Sequence, residues 1–144
     1  MRTTTKCRQT KQREIVLNVI KSACYHPTAE QIFRLTKKKL PKISVGTVYR
    51  NLDVLLSHQM IKRIDIPGEP ARFDGDMTDK AYFVCQDKKA IYDLKIDADK
   101  LSSLVKNNEL INKISNFNLL ILGISNDSAT ERGLRKGTLI RLIK

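Results

Sequence analysis

The stretch ISVGTVYRNLDVLLSHQMIKRIDI, residues 43–66, decides how this chain folds. Ser44 is a good helix N-cap, because its hydroxyl can accept a hydrogen bond from one of the free amides that open a helix. Apolar residues then recur at helical spacing and predict one buried stripe. The stripe consists of Val45, Val48, Leu52, Leu55 and Leu56.

The opposite face of this predicted helix is polar. Gly46, Thr47 and Arg50 lie away from the stripe, and Tyr49 lies at its border. Such a face suits the major groove of DNA, where Arg binds guanine edges or phosphate and a Tyr ring or Thr methyl packs on a thymine methyl. An ordinary amphipathic helix would give the same pattern, so the helix alone leaves both interpretations open.

The segment after this helix has the pattern of a basic hairpin. Residues 60–66 become strand-like, with Ile64 and Ile66 alternating. The sequence PGEP at 67–70 predicts a turn, and ARFD at 71–74 can return as a second strand. A helix followed by a basic hairpin is typical of a winged helix-turn-helix.

Two further helices are predicted upstream. Residues 10 to about 23 form the first helix. It ends before Pro27, because proline disfavours helix in the preceding residue. Thr28 opens the second, since Thr28 and Gln31 have the spacing of a capping box, and residues 40–41 end it. Two helices joined by a short turn give the helix-turn-helix order.

The second half of the chain has a different pattern, which begins after a small, acidic, hinge-like segment at residues 75–79. Continuous and alternating apolar runs predict strands at 82–85 and 90–94, a helix at 97–108, a buried strand at 117–124 and a last strand at 137–143. The predicted fold class is therefore α+β: an N-terminal winged helix-turn-helix domain over residues 1–76, then a small α/β dimerisation domain over residues 77–144.

Dimerisation is expected from the size of the second domain. At roughly 65 residues it has a thin core by itself, and a symmetric dimer with pooled sheets would remedy this. A two-fold homodimer also suits DNA, because paired recognition helices need half-sites about one helical turn apart.

The charge of the chain is unevenly distributed. Of the net +12, residues 1–66 carry 14 Lys and Arg against 4 Asp and Glu, whereas residues 67–144 carry 13 against 11. The first half therefore meets a polyanion, and double-stranded DNA is the expected one. An anionic membrane surface is the alternative, but no basic amphipathic helix with Trp or Phe anchors supports it.

The sequence predicts a cytoplasmic protein. It has no run of about 18 apolar residues, and its first residues, MRTTTK, lack the apolar stretch of a signal peptide. Its three cysteines, Cys7, Cys24 and Cys85, form no C-x-x-C pair, which fits a reducing compartment.

Several of these segments together carry a family resemblance. They are Arg8-x-Thr10-x-Gln12-Arg13, HPTAEQI at 26–32, SV-x-TVYRNL at 44–52 and ARFD at 71–74, with a weaker signal in Cys85 and Ile91-x-Asp93. With these motifs, residues 8–94 resemble the ferric uptake regulator superfamily, nearest its peroxide-sensing branch.

The resemblance implies a dimeric, metal-dependent transcription factor, usually a repressor, with the two domains described above. It implies that Tyr49 packs on thymines, that Arg50 contacts DNA, and that Arg8 enters the minor groove of A·T-rich operators, whose negative potential attracts Arg. Packing of Tyr49 at the core edge and a merely solvated Arg8 are the alternatives. The full set of predicted DNA-binding residues is Arg8, Arg13, Ser44, Thr47, Tyr49, Arg50, Lys62 and Arg63.

The regulatory metal site that the resemblance implies is incomplete. The usual H-x-H is here Lys80-Ala81-Tyr82, which leaves His26, Asp74 and Asp93 as possible ligands. These three can hold Fe(II) or Mn(II), which accept N and O ligands, but the Lys80 ammonium would compete for the carboxylates. The alternative to metal binding is that Asp74 and Asp93 form caps or ion pairs with Arg72 and Lys80. We therefore expect that the protein does not require a metal cofactor. In the alternative, the protein still responds to Fe(II) or Mn(II) and binds the metal through His26, Asp74 and Asp93.

A structural zinc site is not expected. Such a site needs four ligands, commonly two C-x-x-C pairs, and neutral hydroxyls do not replace thiolates. At the positions of the first C-x-x-C pair this sequence has Cys85 and Lys88, and at the positions of the second pair it has Ser125 and Ser128. One cysteine of four therefore remains.

The predicted function is that of a sequence-specific transcriptional regulator, a repressor that binds A·T-rich palindromic operators as a dimer, with metal dependence weakened or lost. A non-specific, architectural DNA-binding protein is the alternative. An enzyme is not expected, because the sequence contains no nucleophile–base pairing, no Gly-rich phosphate loop and no useful carboxylate pair.

Overall fold

The computed structural model of the protein describes residues 10–95, 119–124 and 140–141. The chain divides into two compact units, with the boundary after Met77, and each unit is described here by itself. In this described part, no helix has both the length and the apolar character needed to cross a membrane.

The first unit begins with three helices, each opened by a capping side chain. They are α1 at Lys11–Ser22, α2 at Ala29–Lys39 and α3 at Val45–Ser57. The N-caps are Thr10, Thr28 and Ser44, and the predicted capping box is formed, with the Thr28 hydroxyl and the Gln31 side chain each bonded to the other residue's backbone amide. The predicted helices and their starting residues are confirmed.

A two-stranded wing completes the first unit. Strand β1, Lys62–Ile64, pairs antiparallel with β2, Arg72–Asp74, so that Lys62 lies opposite Asp74. Gly68 adopts a φ of 76° in the connecting turn, a conformation that glycine accepts without steric cost. The amide of Phe73 donates to the carbonyl oxygen of Pro27 at 3.0 Å, which ties the wing to the start of α2. The predicted hairpin is confirmed.

The core of the first unit lies between the three helices and the wing. Its buried side chains come from the three helices and both strands, and include Val16, Ile20, Ile32, Val48, Leu52, Leu55, Ile64 and Phe73. The prediction that Val45 belongs to the buried stripe of α3 is wrong, because its side chain is 51% exposed. Helical side chains lean towards the N-terminus, so the side chain of this first helical residue projects past the packed face.

The second unit contains a mixed sheet. Its strands are β3 at Ala81–Cys85, β4 at Ala90–Lys95, β5 at Leu119–Gly123 and β6 at Ile140–Arg141, in the order β5-β3-β4-β6. Strands β3 and β4 form an antiparallel hairpin, while β5 runs parallel to β3 and β6 parallel to β4. The α+β fold class is thus confirmed; the predicted helix at 97–108 lies outside the described residues.

Strand β5 was predicted as a buried strand, and the burial part of that prediction is wrong. Ile121, Leu122 and Ile124 are exposed, the last by 77%. In the described sheet β5 has a neighbour on one side only, β3, so an apolar run in this position remains in contact with water within one chain. The run indicates a strand correctly but says nothing about what covers it.

Candidate nucleic-acid interface

Helix α3 presents an exposed face while its opposite face is fixed in the core. Tyr49 is 50% exposed and Arg50 is exposed, whereas Val48 and Leu52 are almost fully buried. The side-chain amide of Asn51, also buried, donates to the carbonyl oxygen of Thr47 at 2.8 Å. The structure therefore places Tyr49 outside the core, and a rigidly packed helix carries it together with Arg50.

The predicted contacts Ser44 and Thr47 form the cap of this helix. The hydroxyl of Ser44 accepts from the backbone amide of Thr47 at 3.1 Å, and the two side-chain hydroxyls lie 2.8 Å apart. Thr47 is half-buried rather than fully exposed. In this arrangement both side chains fix where α3 begins, and their role as DNA contacts stays a prediction.

Gly46 lies on the exposed side of the first turn of α3. A Cβ atom at this position would lie 3.9 Å from Nη2 of Arg50, an ordinary van der Waals separation, and would meet nothing else within 4 Å. The fold therefore does not require glycine here, and a side chain would fit.

The basic residues of the wing lie on β1. Arg63 is exposed and its Nε lies 2.7 Å from a carboxylate oxygen of Asp65, in an ion pair whose two side chains are both exposed. Such a pair stabilises a protein by at most about 1 kcal/mol, so it does not prevent Arg63 from binding a phosphate. Lys62 is half-buried.

The remaining predicted DNA contacts lie at the N-terminal end. Arg13 is half-buried in the first turn of α1, and its backbone amide donates to the hydroxyl of Thr10 at 3.2 Å. Arg8 lies outside the described residues. The structure thus brings together the α3 residues of the predicted set, and the roles of Arg8 and Arg13 stay predictions.

Two of the predicted metal ligands meet within the first unit. Nε2 of His26 lies 3.5 Å from Oδ2 of Asp74, and both side chains are buried. His26 has a φ of 53°, a left-handed conformation that is uncommon for a non-glycine residue. The other carboxylate oxygen of Asp74 accepts from the backbone amide of Asp76 at 2.8 Å. The imidazole nitrogen, from the turn before α2, and the carboxylate oxygen, from the end of β2, therefore form a donor pair for a metal ion.

The third predicted ligand has an ion-pair partner in the second unit. Nζ of Lys80 lies 3.0 Å from Oδ2 of Asp93, with the two side chains only 8% and 19% exposed. The same ammonium lies 5.9 Å from the centre of the Tyr82 ring, within the range of a cation–π interaction. The sequence predicted this ion pair as the alternative to metal binding by Asp93, and the pair is present.

Two positions that the resemblance assigns to metal ligands, Lys80 and Tyr82, offer poor donors for a divalent metal. A lysine ammonium has three donors and no lone pair, so Lys80 cannot be a ligand while charged. It also neutralises the carboxylate that a metal would need. Tyr82, the second residue that departs from H-x-H, is buried and offers only a phenol.

The cysteine predicted to remain from a zinc site is engaged elsewhere. Cys85 is fully buried at the end of β3, and its Sγ donates to Oδ1 of Asp87 at 2.8 Å. The sulfur of Cys85 is thus in contact with a carboxylate of the turn that follows β3. Lys88 occupies the position of the second cysteine, and Ser125 and Ser128 lie outside the described residues.

Comparisons with known proteins agree with this arrangement. The profile of the ferric uptake regulator family matches residues 4–120. The peroxide operon regulator of Bacillus subtilis is 33% identical over 89 residues, which cover 62% of this chain and 61% of that protein. The peroxide-responsive repressor PerR of Staphylococcus epidermidis is 32% identical over 79 residues, which cover 55% and 53%. The chain thus spans less than two thirds of the length of these relatives.

Solved structures show the same fold. The peroxide stress regulator of Campylobacter jejuni superimposes with a TM-score of 0.70 at 23% identity, covering 80% of this chain and 86% of that one. The ferric uptake regulator of Vibrio cholerae gives a TM-score of 0.66 at 21% identity, covering 82% and 92%.

Proposed function

The chain belongs to the ferric uptake regulator family, whose members are transcriptional regulators rather than enzymes, and we propose that it is a sequence-specific DNA-binding repressor that acts as a homodimer in the cytoplasm. The observation that carries this proposal is the α3 face that exposes Tyr49 and Arg50 while Val48 and Leu52 anchor the helix in the core. In a helix-turn-helix the second helix enters the major groove, and α3 is the second helix of the pair α2 and α3.

The charge distribution supports the same proposal. The excess of positive charge lies in residues 1–66, which contain the three helices and the start of the wing. Phosphate contacts by Lys and Arg supply most of the non-specific affinity for DNA, and base contacts add the specificity. In this proposal Lys62 and Arg63 contact phosphates from the wing, and Arg8 enters the minor groove of an A·T-rich operator. Arg13, Ser44 and Thr47 are proposed as further DNA contacts, and Ser44 and Thr47 also form the cap of α3.

The exposed apolar strand supports the dimer. Ile121, Leu122 and Ile124 would be covered if β5 of one protomer packed against a partner, since contiguous exposed apolar side chains usually mark an interaction site. A two-fold dimer presents two α3 helices to a palindromic operator. The second unit is accordingly proposed as the dimerisation domain.

Metal dependence is proposed to be weakened or lost. Lys80 already supplies a positive charge to Asp93, and neither Lys80 nor Tyr82 can replace an imidazole ligand. The relatives are named as a peroxide operon regulator and a peroxide-responsive repressor. We propose no peroxide response for this chain, because it has Lys80-Ala81-Tyr82 in place of H-x-H. We propose no structural zinc, since one cysteine does not make a closed site.

A second candidate function follows from His26 and Asp74, which lie together as a donor pair. In this alternative the chain remains responsive to Fe(II) or Mn(II), with Asp93 as a third ligand. A third candidate, a non-specific architectural DNA-binding protein, would use the positive charge alone.

The test of the proposed function is a genome-wide footprint of the purified full chain, performed with Mn(II) and with a chelator. The proposal predicts discrete A·T-rich footprints with dyad symmetry that are the same in both conditions. Footprints that appear only with Mn(II) would favour the metal-responsive alternative. Uniform protection without preferred sites would favour the architectural one, because such a protein has a low specificity ratio.

A further inference from the structure

The first residue of α3, Val45, is exposed, and its side chain is not part of the hydrophobic core. Its side chain is 51% exposed, although a valine at a predicted core position should be buried. Valine also gives the helix no advantage, since its β-branched side chain loses rotamer freedom there and alanine is the better helix former. Neither packing nor helix propensity therefore explains valine at this position.

Val45 and Tyr49 form one apolar patch. They are four residues apart on α3, and residues at this spacing lie on the same helix face with their Cβ atoms about 5–6 Å apart. In the described part of the first unit, the exposed large hydrophobic side chains are Val45, Tyr49 and Met77, so two of the three share this face. The patch is thus a property of the recognition helix rather than of the surface in general.

A thymine C5-methyl group is the DNA feature that an apolar patch can recognise. The major-groove edge of thymine offers one methyl group, which cytosine and uracil lack, and side-chain methyl groups pack on it. The N-terminal residues of a recognition helix lie nearest the base edges, and Val45 is the first residue of α3. The excess of positive charge in residues 1–66 makes DNA the occupant that fits this face.

We propose that Val45 is a specificity-determining residue that packs on a thymine methyl group of the operator, beside the thymine that Tyr49 contacts. This inference rests on the proposed function and adds a second apolar base contact to it. Four residues of helix rise about 6 Å, and base pairs lie about 3.4 Å apart, so the two thymines are one or two base steps apart. Val45 discriminates thymine from cytosine at its position.

The test replaces each thymine of a selected operator by uracil, one at a time, which removes only the methyl group. The affinity of the full chain for each substituted duplex is measured for the native protein, for Val45→Ala and for Val54→Ala. Val54 is a half-buried valine of the same helix, and its substitution makes the same chemical change away from the patch. Thermal unfolding checks that all three proteins are folded.

We expect one uracil position at which the native protein and Val54→Ala lose affinity about fourfold, as burial of one methyl group implies, while Val45→Ala loses none. A second sensitive position, one or two steps away, should remain sensitive in Val45→Ala because Tyr49 reads it. If Val45→Ala binds DNA with the native pattern of uracil sensitivity, the inference is overturned and the proposed function stands. If the native chain selects no sequence at all, both are overturned.

Discussion

Removal of the Lys80 ammonium should destabilise the second unit unless a divalent cation replaces it. At 3.0 Å and an effective dielectric constant of about 20, the attraction between Nζ of Lys80 and Oδ2 of Asp93 is about 5–6 kcal/mol before desolvation. Breaking a buried pair by removal of one partner costs about 3–5 kcal/mol. Asp93 retains 19% exposure, so we expect a loss of about 3 kcal/mol for Lys80→Met.

The assay is urea unfolding of the full chain, followed by circular dichroism, for the native protein, Lys80→Met and the double variant Lys80→Met/Asp93→Asn. The double variant should recover most of the lost stability, since a buried ion pair replaced by neutral groups is often near neutral. Lys42→Met, which makes the same change at an exposed lysine in the turn between α2 and α3, is the control and should change stability little.

The same measurement with Mn(II) tests the relation between Lys80 and metal. In Lys80→Met the carboxylate of Asp93 no longer has its ammonium partner, so Mn(II) should stabilise this variant by about 2.7 kcal/mol at 100 times the dissociation constant. The native chain should respond little. The reasoning is refuted if Lys80→Met is within about 1 kcal/mol of the native chain, or if Mn(II) stabilises both proteins equally.

Three further predictions concern other positions. Arg50→Ala should weaken operator binding by about 1–3 kcal/mol in a gel-shift assay, whereas Arg34→Ala, an exposed arginine of α2, should not; equal losses would exclude base recognition by Arg50. Gly46→Ala should stabilise the protein by about 0.5–1 kcal/mol in thermal unfolding, because the added Cβ meets only ordinary contacts, and a loss of stability would contradict this. Elemental analysis should find well under one zinc per chain, and a stoichiometric, chelator-resistant zinc would disprove the absence of a structural site around Cys85.

Local sequence signals predicted the helices and the wing correctly. The capping box of Thr28 and Gln31 and the N-cap at Ser44 are made by residues three apart, so their geometry depends on the helix alone. The turn at Gly68 and the strands on either side of it are likewise local. These are the features that a single sequence can specify without knowledge of distant contacts.

Burial was predicted less well, because it depends on what packs against an element. Val45 has the spacing of a core residue, but it begins the helix, and its side chain points past the packed face. Ile121 and Leu122 lie in a continuous apolar run, but β5 has one strand neighbour in the described sheet. In both cases the sequence shows an apolar side chain and leaves open whether the chain itself or a partner covers it.

The sequence could suggest an ion pair between Lys80 and Asp93, but it could not show how deeply the two side chains are buried. A lysine in place of a histidine ligand brings a positive charge near the carboxylates, and the sequence offered an ion pair as the alternative to metal binding. It could not show that both side chains lie almost out of water. That burial matters, because an exposed pair would contribute at most about 1 kcal/mol and would be displaced easily by a metal ion.

A covalently attached cation differs from a bound metal in one thermodynamic respect. A ligand that binds the folded protein stabilises it by an amount that grows with the logarithm of its concentration, and this dependence makes a metal a signal. The ammonium of Lys80 is present at every metal concentration. A lysine in place of a metal ion therefore keeps a positive partner for Asp93, but the stability of the protein no longer depends on the metal concentration. Under the proposed function, DNA binding then follows the amount of protein, because the dimer and its operator complex both obey mass action.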